Sequence, residues 1–201
     1  HQYSAGIVST GTERILIMPD HSGLARPATA DVENQIGIDF VDMPTADHQG
    51  ASTNAARAMV EQGVDCIVTL GGDGTNRVVA KGCLEVPLVP ISTGTNNVFP
   101  ANIEGTLAGI AAGSLATRTL TRDDACRRSK RIDIYIDNEL CDDALVDAAV
   151  STQMFVGARA VWDTSTLHAM FLTRAEPASI GLSSIGSRLE PIAIDDPFGL
   201  Y

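Results

Sequence analysis

Basic residues are scarce in this chain. Fourteen Lys and Arg stand against 25 Asp and Glu, a net charge of −11 over 201 residues. A protein that grips nucleic acid neutralises phosphates with Lys and Arg, and an anionic membrane surface repels an acidic partner. Neither a nucleic-acid nor a membrane partner is expected. No run approaches the roughly 18 apolar residues of a membrane helix. The first twenty residues hold neither the basic stretch nor the apolar core of a secretory leader. Because residue 1 is His, the native start is expected to be missing or replaced. Cys66, Cys83, Cys126 and Cys141 are widely spaced and form no C-x-x-C pair. They read as isolated thiols of a reducing, cytoplasmic compartment.

Several motifs are absent as well. G-x-G-x-x-G does not follow the first strand, so the usual hydride-transfer dinucleotide fold is unsupported. G-x-x-x-x-G-K-[ST] and G-x-S-x-G do not occur. His21, His48 and His168 are not at metal-ligand spacing, and they read as ordinary histidines; Trp162 reads as core. No metal site is expected from side chains alone. The basic cluster from Arg127 to Arg131 reads as a solvated edge.

What is present is enough apolar material for a core, 44% of residues, which excludes a disordered chain. The first half alternates β-rich runs with helix formers. Strands are predicted at 14–18, 37–41, 65–70 and 87–91, and helices at 28–35, 52–62, 75–81 and 103–112. That alternation implies a parallel sheet covered by helices. Composition shifts near Thr117 to a polar, glycine-free stretch. After it, 131–137 alternates as a half-buried strand, with Asn138-Glu139 as a turn and 144–151 as a further strand. A helix is predicted over 164–174, where Leu167, Met170, Phe171 and Arg174 share helical spacing. Residues 178–186 mix apolar positions with glycine and serine and carry no clear assignment. The expected organisation is an α/β domain over 1–120 and a β-rich domain over 121–201. The second is small for an independent core, so it is expected to be incomplete or to pair with another copy as a homo-oligomer.

Two loops carry the chemistry. Gly71-Gly72-Asp73-Gly74-Thr75-Asn76 follows a predicted strand directly. Three glycines in four residues suit a backbone that approaches a ligand closely or takes positive φ, and a helix opening at Thr75 would aim free amides at an anion. Asp73 is the oddity, since a carboxylate repels phosphate. General-base attack on a hydroxyl, or Mg²⁺ ligation, would give it a purpose; the plain alternative is a glycine-rich turn with an Asp cap. The second loop, Ser92-Thr93-Gly94-Thr95-Asn96-Asn97, leaves the end of the next strand and can converge on the same crevice. Its plain alternative is a polar turn before a helix.

GGDGTN at 71–76 with STGTNNVFP at 92–100 resembles the ATP–NAD kinase, diacylglycerol kinase and sphingosine kinase superfamily. The second motif, with Ile180-Gly181-Leu182-Ser183, is similar to its NAD kinase-like branch that includes the acetoin-catabolism X protein. The resemblance implies a Rossmann-like N-terminal domain of NAD kinase type, a C-terminal β-rich domain, and phosphoryl transfer from ATP with Mg²⁺ to a hydroxyl of a nucleotide-like acceptor such as NAD. It assigns Asp73 to activating that hydroxyl and Gly71, Gly72, Gly74 and Thr75 to nucleotide phosphates, with Asn76 in the same cradle. It sets Asn97, with Asn96 beside it, against the acceptor nucleotide, while the hydroxyls and amides of Thr93, Gly94 and Thr95 suit phosphates or a ribose. On this reading Asp73→Asn lowers transfer at least about tenfold with little change in folding. The chain departs from true NAD kinases in two places. Their Asn-Glu pair is matched by Val146-Asp147, which keeps a carboxylate at Asp147 and lacks the amide. Their later T-P-x-G-S-T-A-Y segment has no counterpart. A lipid kinase-like enzyme and a non-catalytic nucleotide-binding protein are the alternatives.

Overall fold

A computed structural model describes residues 2–20, 23, 25–44, 49–153 and 163–201. His21, His48 and Trp162 lie outside the described residues. The chain divides into two compact units, His1–Arg127 and Arg128–Tyr201.

The first unit is a small parallel α/β assembly. It runs α1 (Gln2–Ser9), β1 (Arg14–Ile17), α2 (Ala25–Thr29), β2 (Gly37–Phe40), α3 (Gln49–Glu61), β3 (Ile67–Gly71), α4 (Asp73–Cys83), β4 (Leu88–Ser92), α5 (Gly105–Ala116) and α6 (Arg122–Ala125). β1 pairs in parallel with β2, and β3 with β4. Intervening helices are what parallel neighbours require, since a hairpin cannot connect them. α3 ends where Gly63 takes φ +77°, the left-handed conformation that favours glycine at a helix end. The core of this unit gathers Ala56 of α3, Ile67 of β3, and Val79 and Cys83 of α4, with Met59, Val60 and Leu88 packed against them. Helix α1 has no counterpart among the sequence expectations. Its docking explains it: Gly6 meets Gly109 of α5 so closely that a Cβ on either glycine would strike the other helix's backbone. The contact comes from small residues, which leave no apolar stripe in the sequence.

The second unit is antiparallel and β-rich. β5 (Ile132–Ile136) pairs with β6 (Glu139–Ala144), and β7 (Asp147–Ser151) with β8 (Leu167–Leu172); α7 (Gly181–Gly186) follows. Asp137 and Asn138, both at positive φ, form the two-residue turn between β5 and β6. A bulge at Ile134/Tyr135 shifts the register, and Ile136 ends exposed although it belongs to the alternating apolar set.

The helix predicted over 164–174 is not formed. Residues 164–166 make a single 3₁₀ turn and 167–172 form strand β8. Leu167, Met170 and Phe171 fit a helical period, but a short apolar run also fits a strand. Pairing with β7 decides between them, and it leads the chain into the second core, made by Leu172, Ala175 and Ile192. All four cysteines are unbridged. No described helix is long and apolar enough to cross a membrane.

Candidate functional site

Strand pairing brings the two glycine-containing loops side by side. Gly71, the last residue of β3, stands opposite Ser92, the last residue of β4. One loop turns at once into α4; the other runs on as an exposed stretch from Thr93 to Asn96.

Asp73 opens α4, and its carboxylate is committed to the neighbouring loop. Both oxygens accept the Val98 N–H at 3.1 Å, and Oδ1 accepts the Phe99 N–H at 2.7 Å. Asn97 reinforces the joint. Its Oδ1 accepts from Asp73 N–H at 3.3 Å, and its Nδ2 donates to Ser92 Oγ at 2.9 Å. The Ser92 hydroxyl in turn donates to the Gly94 carbonyl at 2.8 Å. An acid in the first turn often caps its own helix. Here it faces away, and the N-cap residue Gly72 has no side chain to cap the helix, so Asn97 Oδ1 meets the first amide alone. The first intrahelical bond runs from Asn76 N–H to Gly72, and the amides of Gly74 and Thr75 precede it with no helical acceptor.

The three glycines of the first loop differ in role. None of them takes positive φ, so backbone conformation does not explain them, and close approach explains two of the three. A Cβ on Gly71 would lie 2.5 Å from Thr75 Oγ1, and one on Gly72 would lie 2.6 Å from Asn97 Oδ1. Both contacts are internal. Gly74 alone among the three opens onto free space. An anion approaching the uncapped start of α4 therefore meets open space over Gly74 and two free amides.

Asn76 is fully buried at 0% exposure. Its Nδ2 donates to the Gly72 carbonyl at 2.9 Å, and its Oδ1 accepts from Thr69 Oγ1 at 2.5 Å. That amide fastens α4 to β3 and has no face toward a ligand. Thr93, Gly94, Thr95 and Asn96 are exposed. Asp147 belongs to the second unit, half-buried at the start of β7 and opposite Leu172. Sequence reasoning included Ser92 in the second loop but missed Thr69 and the amides of Val98 and Phe99. Thr69 had a signal, being a hydroxyl inside the apolar run DCIVTL; backbone donors leave none.

Among the described residues, no three His, Cys, Asp or Glu gather to hold a metal ion. An ATP-bound Mg²⁺ does not depend on such a cage, because it keeps several waters and takes its other ligands largely from phosphates.

The comparisons with known proteins fit this division. Residues 21–120 match the ATP-NAD kinase N-terminal domain, and residues 130–201 match the acetoin catabolism protein X C-terminal domain. The acetoin catabolism protein X of Cupriavidus necator is 41% identical over 207 residues, covering 98% of this chain and 58% of that protein. A NAD kinase of Methanosarcina barkeri is 27% identical over 137 residues, covering 66% of this chain and 46% of that protein. The chain thus spans about half the length of the curated relatives it matches. No solved structure matches. With both domains matched in sequence order, the chain belongs to the acetoin catabolism protein X branch of the ATP–NAD kinase superfamily.

Proposed function

We propose that the chain holds a nucleotide without turning it over, as a binding or regulatory component linked to acetoin catabolism. The observation that carries this reading is the state of Asp73. A general base must reach the acceptor hydroxyl, whereas this carboxylate accepts two backbone amides of the next loop. Each is a charge-assisted bond, and releasing them costs about 1.5–3 kcal/mol apiece. Asp73 acts as a clamp that closes the two loops on each other. The phosphate subsite is the start of α4, where the Gly74 and Thr75 amides meet the ligand and the helix dipole favours negative charge.

The residues fit ATP at that point: open space over Gly74, the Gly74 and Thr75 amides without a helical acceptor, and an Asp73 carboxylate turned to Val98 and Phe99. Mg²⁺ enters with the phosphates, neutralising charge that neither loop can, since no Lys or Arg occurs within 71–76 or 92–99. The first unit serves as a Rossmann-like nucleotide domain of NAD kinase type. NAD is among the candidate ligands, and the working protein is a homo-oligomer of the cytoplasm. The match to acetoin catabolism protein X over 98% of the chain favours this reading over NAD phosphorylation.

Phosphoryl transfer is the second reading, favoured by the GGDGT loop and the match to the ATP-NAD kinase domain. Calorimetry with ATP and Mg²⁺, followed by mass spectrometry of the same mixture with NAD added, separates the two. Saturable binding with neither ADP nor NADP formed supports the binding role. Product that vanishes in Asp73→Asn establishes the kinase.

A further inference from the structure

Where the chain leaves α5 and enters α6, it borders a cavity of about 320 Å³ within the first unit. Asp65, just before β3, contributes to the wall together with Leu115, Arg118, Leu120, Thr121 and Arg122. The phosphate loop begins at the far end of β3, at Gly71. The five residues of that strand, at about 3.3 Å each, separate the two places. A small molecule in this cavity therefore touches nothing at the start of α4.

Two arginines fall within five residues here, in a chain with only 14 Lys and Arg among 201. The backbone is bent to present one of them. Thr117 caps α5, and the next residue, Arg118, takes φ +57° while its N–H donates to the Leu115 carbonyl at 3.1 Å. That is the left-handed position after a helix, which glycine fills freely and a larger residue fills against steric resistance. A cation near this end also complements the dipole of α5, but a basic residue in the last turn would do so without the resistance. Arg122 is steadied by its own contact, Nη1 donating to the Glu85 carbonyl at 3.3 Å. That leaves most of its N–H donors for another acceptor. The Thr121 hydroxyl is already engaged with Asp124. The side chains left for a ligand are the two arginines and Asp65, beside Leu115 and the exposed Leu120.

Two guanidiniums against one carboxylate leave a surplus of one positive charge. A single carboxylate balances it and matches the paired N–H donors of arginine. Ionised Asp65 only accepts hydrogen bonds, so it repels a second acid group and takes a hydroxyl. The two leucines suit a short carbon body. We propose that this cavity binds a small hydroxycarboxylate, with its carboxylate on Arg118 and Arg122 and its hydroxyl donating to Asp65. The site is separate from the nucleotide subsite and does not depend on it.

Amide NMR titrations of the full chain with lactate, propionate and inorganic phosphate, each in its own sample and without nucleotide, test the proposal. Lactate is expected to give saturable shifts at Asp65, Leu115, Leu120 and Arg122. Propionate lacks the hydroxyl and phosphate brings a second negative charge toward Asp65, so each is expected to bind at least about tenfold more weakly. Arg118→Gly is expected to weaken lactate binding at least about tenfold while its urea midpoint holds or rises, because glycine suits the left-handed backbone. Arg122→Gln keeps a donor for the Glu85 carbonyl and is expected to weaken lactate likewise; it decides the matter if Arg118→Gly does not fold. Lactate without a saturable shift overturns the site. Propionate or phosphate binding as tightly as lactate overturns the hydroxycarboxylate assignment, and unchanged lactate affinity in the folded variants overturns the role of the arginines.

Discussion

Asp73→Asn separates a clamp from a catalytic base through stability. The substitution keeps one carbonyl oxygen and replaces the other with an NH₂ group. That group faces donors, because Val98 N–H is shared between both carboxylate oxygens at 3.1 Å and Phe99 N–H lies 2.7 Å from Oδ1. With the carbonyl oxygen at the Oδ1 position both amides keep an acceptor, but both bonds become neutral and Val98 N–H also meets the new NH₂ donor. Exchanging two charge-assisted bonds for neutral ones costs about 2 kcal/mol. With a urea slope of about 2 kcal/mol per molar, the midpoint falls by roughly 1 M at unchanged slope. Urea titration followed by circular dichroism reads this, and ATP affinity measured beside it falls because the backbone at Val98 and Phe99 is held less firmly beside the start of α4. A base that merely touches substrate would leave the midpoint in place. A variant within about 0.3 M of the parent that has lost turnover would refute the clamp.

Gly74→Ala has room for its methyl group and removes glycine's excess freedom, so stability is expected to rise by about 0.4–1 kcal/mol while ATP binding weakens; unchanged affinity in calorimetry would remove Gly74 from the phosphate subsite. Asn76→Leu leaves Thr69 Oγ1 without its buried partner and the Gly72 carbonyl with the backbone N–H of residue 76 alone, and should cost about 1–3 kcal/mol in urea titration. Combining it with Thr69→Val should give less than the sum, since both remove the same bond. Burial, followed by the adjacent Asp65 charge, raises the Cys66 thiol from 9.0 to about 11. Its modification by a thiol reagent at pH 8 is therefore expected to be far slower than that of exposed Cys141. The stability held by the neutral thiol is full below pH 9 and is lost as pH rises through about 11; a Cys66→Ser variant with the same alkaline profile would count against this.

Legibility in the sequence followed how local each determinant is. The strands of the first unit, at 14–17, 37–40, 67–71 and 88–92, were readable because each is a short run holding Ile, Val, Leu or Phe between turn and helix signals. Both loops were readable because glycines cluster beside hydroxyl and amide side chains. The role of Asp73 was not, because its partners are the backbone amides of Val98 and Phe99, 25 and 26 residues away, and any residue supplies those. Helix α1 escaped for a related reason, since glycine contact replaces an apolar stripe. β8 was misread because Leu167, Met170 and Phe171 satisfy two periods at once, and only the pairing with β7 chooses.

The most direct measurement of the central claim is an amide NMR titration with ATP. If the uncapped start of α4 holds the phosphates, the largest downfield shifts fall on Gly74 and Thr75, with Val98 and Phe99 still bonded to Asp73 in the saturated complex. Saturation that leaves Gly74 and Thr75 unmoved, or that frees Val98 and Phe99 as Asp73 turns to the ligand, would contradict the account.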